Sequence, residues 1–164
     1  MSTTAVVLEL TVRDLTDADL PMCGFSGSEL HLTQVAEQLG RARAGEVDYL
    51  AVCTKADLPV AIGGVDYSPS PGAGSLWQLS VHPALQSCGI GTVLVGAAEQ
   101  RILDRGLDRA ELSVELSNPR AQALYERLGY VAYDEKLEAW DERAADGSVR
   151  RYETICAQLR KQLR

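Results

Sequence analysis

The sequence predicts a mixed α+β domain in which about seven strands alternate with about four helices. Apolar side chains recur at every second position in some segments and at helical spacing in others. These segments follow one another in the order β-α-α-β-β-β-α-β-α-β-β. The length of 164 residues suits one compact domain with a single core. We therefore expect one folded unit over residues 1–164.

The N-terminal segment predicts the first strand and the first helix. Apolar and polar side chains alternate over residues 6–13, which is typical of a strand with one buried face. The following LTDADL favours a short helix that is capped by Thr16 and ends at Pro21 or near Gly24. The strand residues predicted to face the core are Val6, Leu8, Leu10 and Val12.

A second helix and three strands follow. Residues 28–44 carry apolar side chains at helical spacing, and Gly45 ends this predicted helix. The apolar runs 49–54 and 60–67 flank the turn-rich KADLP and predict an antiparallel hairpin. A loop rich in Pro, Ser and Gly leads into the fourth strand, over residues 75–81.

The second half of the chain predicts a helix, a strand, a helix and a hairpin. One helix runs from a glycine-rich loop to Gly106, a strand alternates over 110–116, and another helix begins at Pro119. Strands over 130–140 and 149–159 flank ERAADGS, whose Asp-Gly pair suits a turn with positive backbone angles. The apolar stripe predicted for the first of these helices is Ile90, Val93, Leu94, Ala97, Ala98 and Ile102.

The composition excludes several classes of partner. The net charge of -7 argues against binding of nucleic acid or of an anionic membrane, because clustered Lys and Arg hold phosphate backbones. A cationic partner suits this charge better. The four cysteines form no CxxC pair and have no neighbouring His, so we expect neither a metal site nor disulfides. The N-terminus has no signal-peptide pattern and no segment could span a bilayer, so a cytoplasmic location is expected.

The segment LSVHPALQSCGIGTVLV carries the first chemical signal. A strand ends there, the chain turns through QSCGIG, and a helix begins whose free N–H groups and dipole favour an anion. Gly89 and Gly91 allow the backbone to come close to such a ligand. The loop lacks Gly-Lys-Ser/Thr and follows the fourth strand, which argues against ATP and NAD.

A second segment, SNPRAQALYERLGY, follows the fifth strand. Asn118 suits the cap of a helix, and Tyr125 would also serve as a partly buried aromatic residue. Together the patterns V-x-P-x-x-Q-x-x-G-x-G at 81–91 and S-N-x-x-A-x-x-L-Y-x-x-x-G-Y at 117–130 resemble the GNAT acetyltransferase superfamily. The resemblance implies a GNAT-type fold: a twisted, mostly antiparallel sheet of about seven strands with a V-shaped opening between strands four and five.

The resemblance also implies acetyl-CoA as cosubstrate and no metal. Backbone groups of the fourth strand would pair with the pantetheine arm, and main-chain N–H groups of the loop would wrap the pyrophosphate. Ser87 stands where such proteins usually have Gly, and serine fits the turn when its φ is negative. The implied binding residues are Leu79, Ser80, Val81, Gln86, Ser87, Cys88, Gly89, Ile90, Gly91, Thr92, Asn118, Ala121 and Tyr125.

The implied chemistry needs an acid, a carbonyl-polarising donor and a base. Tyr125 matches the position whose hydroxyl lies near the sulfur, and a phenol stays protonated at neutral pH, so it is the expected general acid. A backbone N–H within residues 79–81 would polarise the thioester carbonyl. Some relatives carry a glutamate at the position of Ser113, so the base stays open. The candidates are Glu115, which should share the face of Ser113, with Glu111, Asp66 and Glu29.

Several other residues are of types that often have catalytic or binding roles, but a structural role is preferred for them. Cys88 lies in the loop but the acyl group passes directly to the acceptor in this family, and His82 suits a strand end. His31 is expected on the exposed side of the second helix. Trp77, Tyr67 and Trp140 either fill the core or line an acceptor pocket.

The sequence therefore predicts an acetyl-CoA-dependent N-acetyltransferase that acts on a primary amine, with a small molecule as the preferred acceptor. A protein N-terminal or lysine acetyltransferase and a non-catalytic CoA-binding sensor stay open as alternatives. A homodimer, paired through a sheet edge or the final hairpin, also stays open.

Overall fold

The computed structural model describes residues 1–164, which form one seven-stranded sheet of order β1-β2-β3-β4-β5-β7-β6. All neighbouring strands are antiparallel except β4 and β5, which are parallel. The strands are β1 (Leu10–Asp14), β2 (Val47–Thr54), β3 (Pro59–Asp66), β4 (Ala73–Val81), β5 (Arg109–Glu115), β6 (Val131–Arg143) and β7 (Val149–Gln162). The helices are α1 (Glu29–Arg43), α2 (Ile90–Asp104) and α3 (Pro119–Arg127). The predicted fold class is confirmed.

Helices cover both faces of the sheet because β2 is apolar on both. Leu50 and Val52 point into a cluster of 17 buried residues that includes the inner face of α2. Tyr49 and Ala51 point the other way, into a cluster of 8 buried residues that includes Val35 of α1. The central strands are thus fixed from two sides, which makes them a rigid base for the site.

The sheet opens between β4 and β5. Their parallel pairing runs only from Ala73↔Arg109 to Leu76↔Leu112, although β4 continues to Val81 and β5 to Glu115. Beyond Leu76 the two strands no longer share a ladder, so their facing backbone groups have no strand partner. This is the V-shaped opening that the sequence resemblance implies.

A β-bulge lies where β4 enters the opening. Gln78 and Leu79 together oppose the single residue Gly63 of β3, and Gln78 has a left-handed φ of 54°. The two adjacent glycines of β3 permit this, because a Cβ on Gly63 would lie 2.3 Å from the Leu79 side chain and one on Gly64 would lie 2.4 Å from the Trp77 ring. The Tyr49 hydroxyl donates a hydrogen bond of 3.0 Å to the Gln78 side chain, which helps to hold the bulge.

Several sequence predictions are wrong in detail. The first strand starts at Leu10 rather than Val6, so Val6 and Leu8 lie outside the sheet and are exposed, and Val12 is exposed on the edge strand β1. The first predicted helix is a pair of short 3-10 helices, Asp17–Met22 and Gly24–Ser26, and Pro21 lies inside the first.

Two further differences concern α2 and the last hairpin. Val93 is exposed and Val95 is buried, because α2 packs on the sheet with the side that also carries Leu94 and Ala98. In the final turn only Gly147 has a positive φ, 85°, so Asp146 does not share the predicted conformation. A five-residue connection, residues 144–148, joins the two strands, with Ala144 N–H donating to Ser148 O at 2.7 Å.

Candidate active site

One cavity, here called the loop cavity, lies between the glycine-rich loop and α3. Its volume is about 510 Å³. Eight of the thirteen predicted binding residues line it: Val81, Gln86, Ser87, Gly89, Gly91, Thr92, Asn118 and Ala121. The first intrahelical hydrogen bond of α2 joins Val93 N–H to Gly89 O at 3.2 Å, so the N–H groups of residues 90–92 lack intrahelical partners. Free N–H donors therefore lie together at one wall of the cavity.

The remaining predicted binding residues lie outside the lining of the loop cavity. Ile90 is buried in the core, so only its backbone is available, and the exposed Cys88 donates its thiol to Gln86 O at 3.6 Å. Ser80 pairs with Ile62 of β3, which leaves its other side towards the opening, and Leu79 lies in the bulge. These two residues continue the line of Val81 along β4.

Ser87 departs from its expected backbone conformation. Its φ is 62°, in the left-handed region, so the expected negative value is wrong. A non-glycine residue in this region carries a strain on the order of 1 kcal/mol. The Ser87 hydroxyl accepts a hydrogen bond from the guanidinium of Arg120 on α3. Serine therefore supplies a contact here that a glycine would lack.

Local sequence explains how α3 faces this cavity. Asn118 caps the helix by accepting the Ala121 N–H at 3.1 Å, and Pro119 takes the first helical position. This cap points the side chains of Arg120, Leu124 and Arg127 towards the cavity. Sequence reasoning missed both arginines, although their spacing of seven residues indicates one helix face.

A second cavity, here called the acidic cavity, lies where β4 and β5 separate. Its volume is about 770 Å³ and its walls include parts of α1, β3, β4, β5, β6 and β7. The charged side chains in its lining are four carboxylates and one ammonium group, so the cavity is negatively charged. They are Asp66, Glu111, Glu115, Glu138 and Lys136. Three aromatic residues, Trp77, Tyr133 and Trp140, also line it.

Two of these carboxylates are neutralised by arginines. Glu111 lies 2.9 Å from Arg109, and Asp66 receives two hydrogen bonds from Arg41, at 2.8 and 3.1 Å. Burial alone would raise the pKa of Asp66, but hydrogen bonds from Arg41 and Ser68 outweigh it and the pKa is lowered. The lowered pKa makes Asp66 a poor proton acceptor, and Glu111 is held in an ion pair with Arg109.

The other two carboxylates have only neutral partners. Glu115 accepts a hydrogen bond of 2.8 Å from the Tyr152 hydroxyl. Glu138 accepts one of 3.1 Å from Ser113, whose hydroxyl also lies 2.8 Å from the Gln158 amide oxygen. Glu115 does line the same cavity as Ser113, as the alternation of β5 predicts. Sequence reasoning missed Glu138, because its position depends on the pairing Glu138↔Thr154 between β6 and β7.

The cysteine of this cavity is not activated. Burial and contact with Glu138 raise the pKa of the Cys156 thiol to about 12. Glu29, the last candidate base, is exposed in the first turn of α1 and lines neither cavity.

His31 differs from its predicted environment. Its ring is partly buried rather than exposed, and Nε2 is buried without a hydrogen-bond partner. Gly27 makes room for it, because a Cβ there would lie 2.8 Å from the imidazole. Burial lowers the pKa of His31, so the ring is neutral near pH 7. The exposed-helix prediction failed because the 3-10 helices fold back against α1.

Tyr125 lies on the side of α3 that packs against the larger core cluster. Its ring is edge-on to Tyr130, with 6.0 Å between centroids. Burial raises the pKa of Tyr125, so its hydroxyl remains a proton donor over a wide pH range. It lines neither cavity and is held by α3, the helix that forms one wall of the loop cavity.

Two global features complete the description. No helix is long and apolar enough to cross a membrane. No three His, Cys, Asp or Glu side chains lie together in a way that could hold a metal ion.

Comparison with known proteins places the chain among acetyltransferases. The family model described as the acetyltransferase (GNAT) family matches residues 13–130. The mycothiol acetyltransferase of Beutenbergia cavernae is 42% identical over 62 residues, which are 38% of this chain and 21% of that protein. The mycothiol acetyltransferase of Salinispora arenicola is 43% identical over 65 residues, 39% of this chain and 21% of that protein. The chain thus spans about a fifth of the length of these relatives.

Solved structures share the fold at lower identity. The ribosomal-protein-S18-alanine N-acetyltransferase of Escherichia coli superposes with a TM-score of 0.70 at 20% identity, over 94% of each chain. The spermidine N-acetyltransferase of Vibrio cholerae, in complex with CoA and spermine, superposes with a TM-score of 0.71 at 17% identity, over 94% of this chain and 95% of that one. These likenesses concern the fold.

Proposed function

Because this chain belongs to the acetyltransferase (GNAT) family, we propose that it transfers the acetyl group of acetyl-CoA to a primary amine of a small cationic molecule. The single observation that carries this proposal is the pair of differently charged cavities that border the β4–β5 opening. The loop cavity contains two arginines and no carboxylate, whereas the acidic cavity contains four carboxylates. The donor and the acceptor thus have separate entrances to the same opening.

The loop cavity suits the phosphate end of acetyl-CoA. Free N–H groups of residues 90–92 and the dipole of α2 favour an anion at this wall. A ligand that continues from there along Val81, Ser80 and Leu79 reaches backbone groups of β4 that have no partner in β5. The pantetheine arm has amides that can pair with such an edge as an added strand.

The acidic cavity suits a cationic amine. Glu115 and Glu138 carry charges that no Lys or Arg neutralises, and rings of Trp77 and Trp140 lie in the same lining. Carboxylates and aromatic faces together are the groups that attract an alkylammonium ion. The name of one structural neighbour, a spermidine N-acetyltransferase with bound spermine, agrees with a polyamine-like acceptor.

The reaction requires a neutral amine, and Glu115 is the proposed proton acceptor, with Glu138 as the other unpaired carboxylate. The carboxylate takes one proton from the ammonium group, and the amine nitrogen attacks the thioester carbonyl directly in a ternary complex. The C–N bond forms, the C–S bond breaks, and the leaving thiolate takes a proton from the Tyr125 hydroxyl. The nitrogen gives its second proton through water to the tyrosinate, which restores Tyr125, and the protonated carboxylic acid then releases its proton to solvent.

A thiol-release assay with a panel of amines tests the proposal. Acetyl-CoA is incubated with monoamines, diamines, polyamines and peptides, and free CoA thiol is measured alongside the mass of the acetylated product. We expect turnover with small di- and polyamines. Binding of acetyl-CoA without turnover on any acceptor would favour a CoA sensor, and turnover restricted to peptides would favour a protein acetyltransferase.

A further inference from the structure

Tyr130 contacts Tyr125 through both its backbone and its ring. The helix α3 ends in a Schellman motif, in which Gly129 takes a left-handed φ of 95° and the Tyr130 N–H donates back to Tyr125 O at 3.0 Å. Side chains at these two positions of the motif often pack together. Here the two tyrosine rings meet edge-on, with 6.0 Å between their centroids. The residue after α3 thus determines where the ring of the expected general acid lies.

The hydroxyl groups of the two tyrosines are held differently. The Tyr125 hydroxyl forms no hydrogen bond within the chain, so packing alone fixes its ring. Tyr130 is only 2% exposed, and its hydroxyl donates a hydrogen bond of 3.1 Å to Glu99 of α2. Burial and the nearby Glu99 raise the pKa of Tyr130, so this hydroxyl stays protonated and remains a donor. Tyr130 is therefore anchored at both ends, whereas the Tyr125 hydroxyl is free for another partner.

Glu99 is in turn fixed by Lys161 of β7. The Lys161 ammonium group donates to both carboxylate oxygens, at 3.0 and 3.1 Å, and both side chains are partly buried. The same ammonium group lies 5.7 Å from the centre of the Tyr130 ring. Packing alone would be served by a phenylalanine at position 130, because a buried hydroxyl costs free energy unless it is hydrogen-bonded. The hydroxyl and its charged anchor therefore supply more than filling of the core requires.

We propose that Tyr130, anchored by Glu99 and Lys161, is a positioning residue that orients the Tyr125 hydroxyl for proton transfer to the leaving thiolate. This inference rests on the proposed function, in which Tyr125 is the acid, and adds how the chain orients that acid. Proton transfer requires the donor and the acceptor to lie within hydrogen-bond distance. A small displacement of the Tyr125 ring therefore slows this step and leaves the binding of both substrates unchanged.

Steady-state kinetics of variants at the anchoring hydrogen bond test this role. Tyr130→Phe keeps the ring and removes the bond, and Glu99→Ala removes the same bond from the other side. We expect each variant to lower kcat by about three- to tenfold, the usual worth of one hydrogen bond, with the acceptor KM and the acetyl-CoA Kd within about twofold of wild type. Because one bond is lost in both, the double variant should lower kcat no further. Glu99→Gln still offers an oxygen to Tyr130 and should keep most of the activity.

A double-mutant cycle with Tyr125→Phe separates positioning from a general loss of structure. Without the Tyr125 hydroxyl there is no donor to orient, so adding Tyr130→Phe should change kcat by less than about twofold. A general loss of structure would instead lower kcat by the same factor in both backgrounds. Tyr67→Phe is the matched control, because the Tyr67 hydroxyl also donates to a carboxylate, that of Asp48, but lines neither cavity. It should match wild type, and thermal unfolding checks that every variant is folded at the assay temperature.

A measurement that needs no turnover keeps this inference distinct from the proposed function. In NMR spectra of tyrosine-labelled protein, Tyr130→Phe should shift and broaden the ring signals of Tyr125, whereas Tyr67→Phe should leave them unchanged. Unchanged Tyr125 signals in Tyr130→Phe would overturn the positioning role, as would equal kcat in Tyr130→Phe and wild type. Absence of turnover by the wild type on every amine, with the Tyr125 signals shifted as expected, would contradict the proposed function instead.

Discussion

The loop cavity and the acidic cavity border the same opening but are constructed differently. The loop cavity comes from two short stretches of sequence, 81–92 and 118–127, and combines the main-chain N–H groups of a helix terminus with two arginine side chains. The acidic cavity takes its side chains from six elements, and its charge comes mainly from carboxylates. The comparison indicates that the proposed donor site is encoded locally, whereas the proposed acceptor site depends on how distant strands pair.

The two cavities therefore differ in how strongly they depend on particular side chains. Backbone groups remain whatever side chains surround them, so we expect the proposed donor site to tolerate Ser87 and Cys88 in its loop. Side chains such as Glu138 can change without disturbing the ladder between β6 and β7. We therefore expect substitutions near one cavity to leave the function of the other unchanged, and the following predictions test this separation.

The largest effect is expected at Tyr125, which lines neither cavity. Tyr125→Phe should lower kcat by about 100-fold, the usual contribution of a general acid, with little change in acetyl-CoA affinity. An ordinary tyrosine hydroxyl ionises at about pH 10. Because burial raises the pKa of Tyr125, its hydroxyl should stay protonated up to that pH, and its ionisation should not lower the wild-type kcat below about pH 10. Tyr67→Phe is the matched control, because it removes a partly buried tyrosine hydroxyl that lines neither cavity. Equal kcat in Tyr125→Phe and wild type would contradict its role as the acid.

The next largest effect is expected at Gly64, beneath the bulge. A Cβ there would lie 2.4 Å from the Trp77 ring, so Gly64→Ala should cost about 1–3 kcal/mol in the free energy of unfolding. Displacement of Trp77 should also raise the acceptor KM, with the CoA Kd unchanged. Gly96→Ala is the control, because Gly96 lies in α2 with open space around its Cβ position. It should add up to about 1 kcal/mol of stability, measured by chemical denaturation.

The carboxylates of the acidic cavity should distinguish binding from proton transfer. Glu138→Gln and Glu115→Gln should each raise the acceptor KM about tenfold, since each removes one charge that attracts the ammonium group. The variant that removes the base should in addition lower kcat and shift its pH profile. Glu29→Gln, outside both cavities, should match wild type. A change in CoA affinity in Glu115→Gln or Glu138→Gln would contradict the independence of the two sites.

The smallest effect is expected at Ser87. Ser87→Gly should relieve the left-handed strain and raise the free energy of unfolding by up to about 1 kcal/mol, offset in part by the greater freedom of glycine in the unfolded chain. Thermal unfolding without ligand measures this. A loss of stability would mean that the bond to Arg120 outweighs the strain.

The sequence predicts best what is determined by neighbours along the chain. The Asn118 cap, the free N–H groups after Gly89 and the alternation of β5 are local, and each could be predicted without the fold. Glu138 could not be predicted, because only the register of β6 against β7 brings it to Ser113. The backbone of Ser87 also escaped prediction, since its contact with Arg120 crosses 33 positions. Roles in binding and catalysis stay predictions.

The end of the β4–β5 ladder at Leu76↔Leu112 has a consequence for cooperativity. Two halves of the sheet, β1–β4 and β5–β7, share only a short parallel contact, so local opening should concentrate at this seam. A donor that hydrogen-bonds along β4 would act as a removable eighth strand and couple the two halves. In hydrogen exchange, the amides of residues 78–81 should exchange faster than those of β2 and become protected when CoA is added. Substrate binding and the completion of the fold would then be the same event.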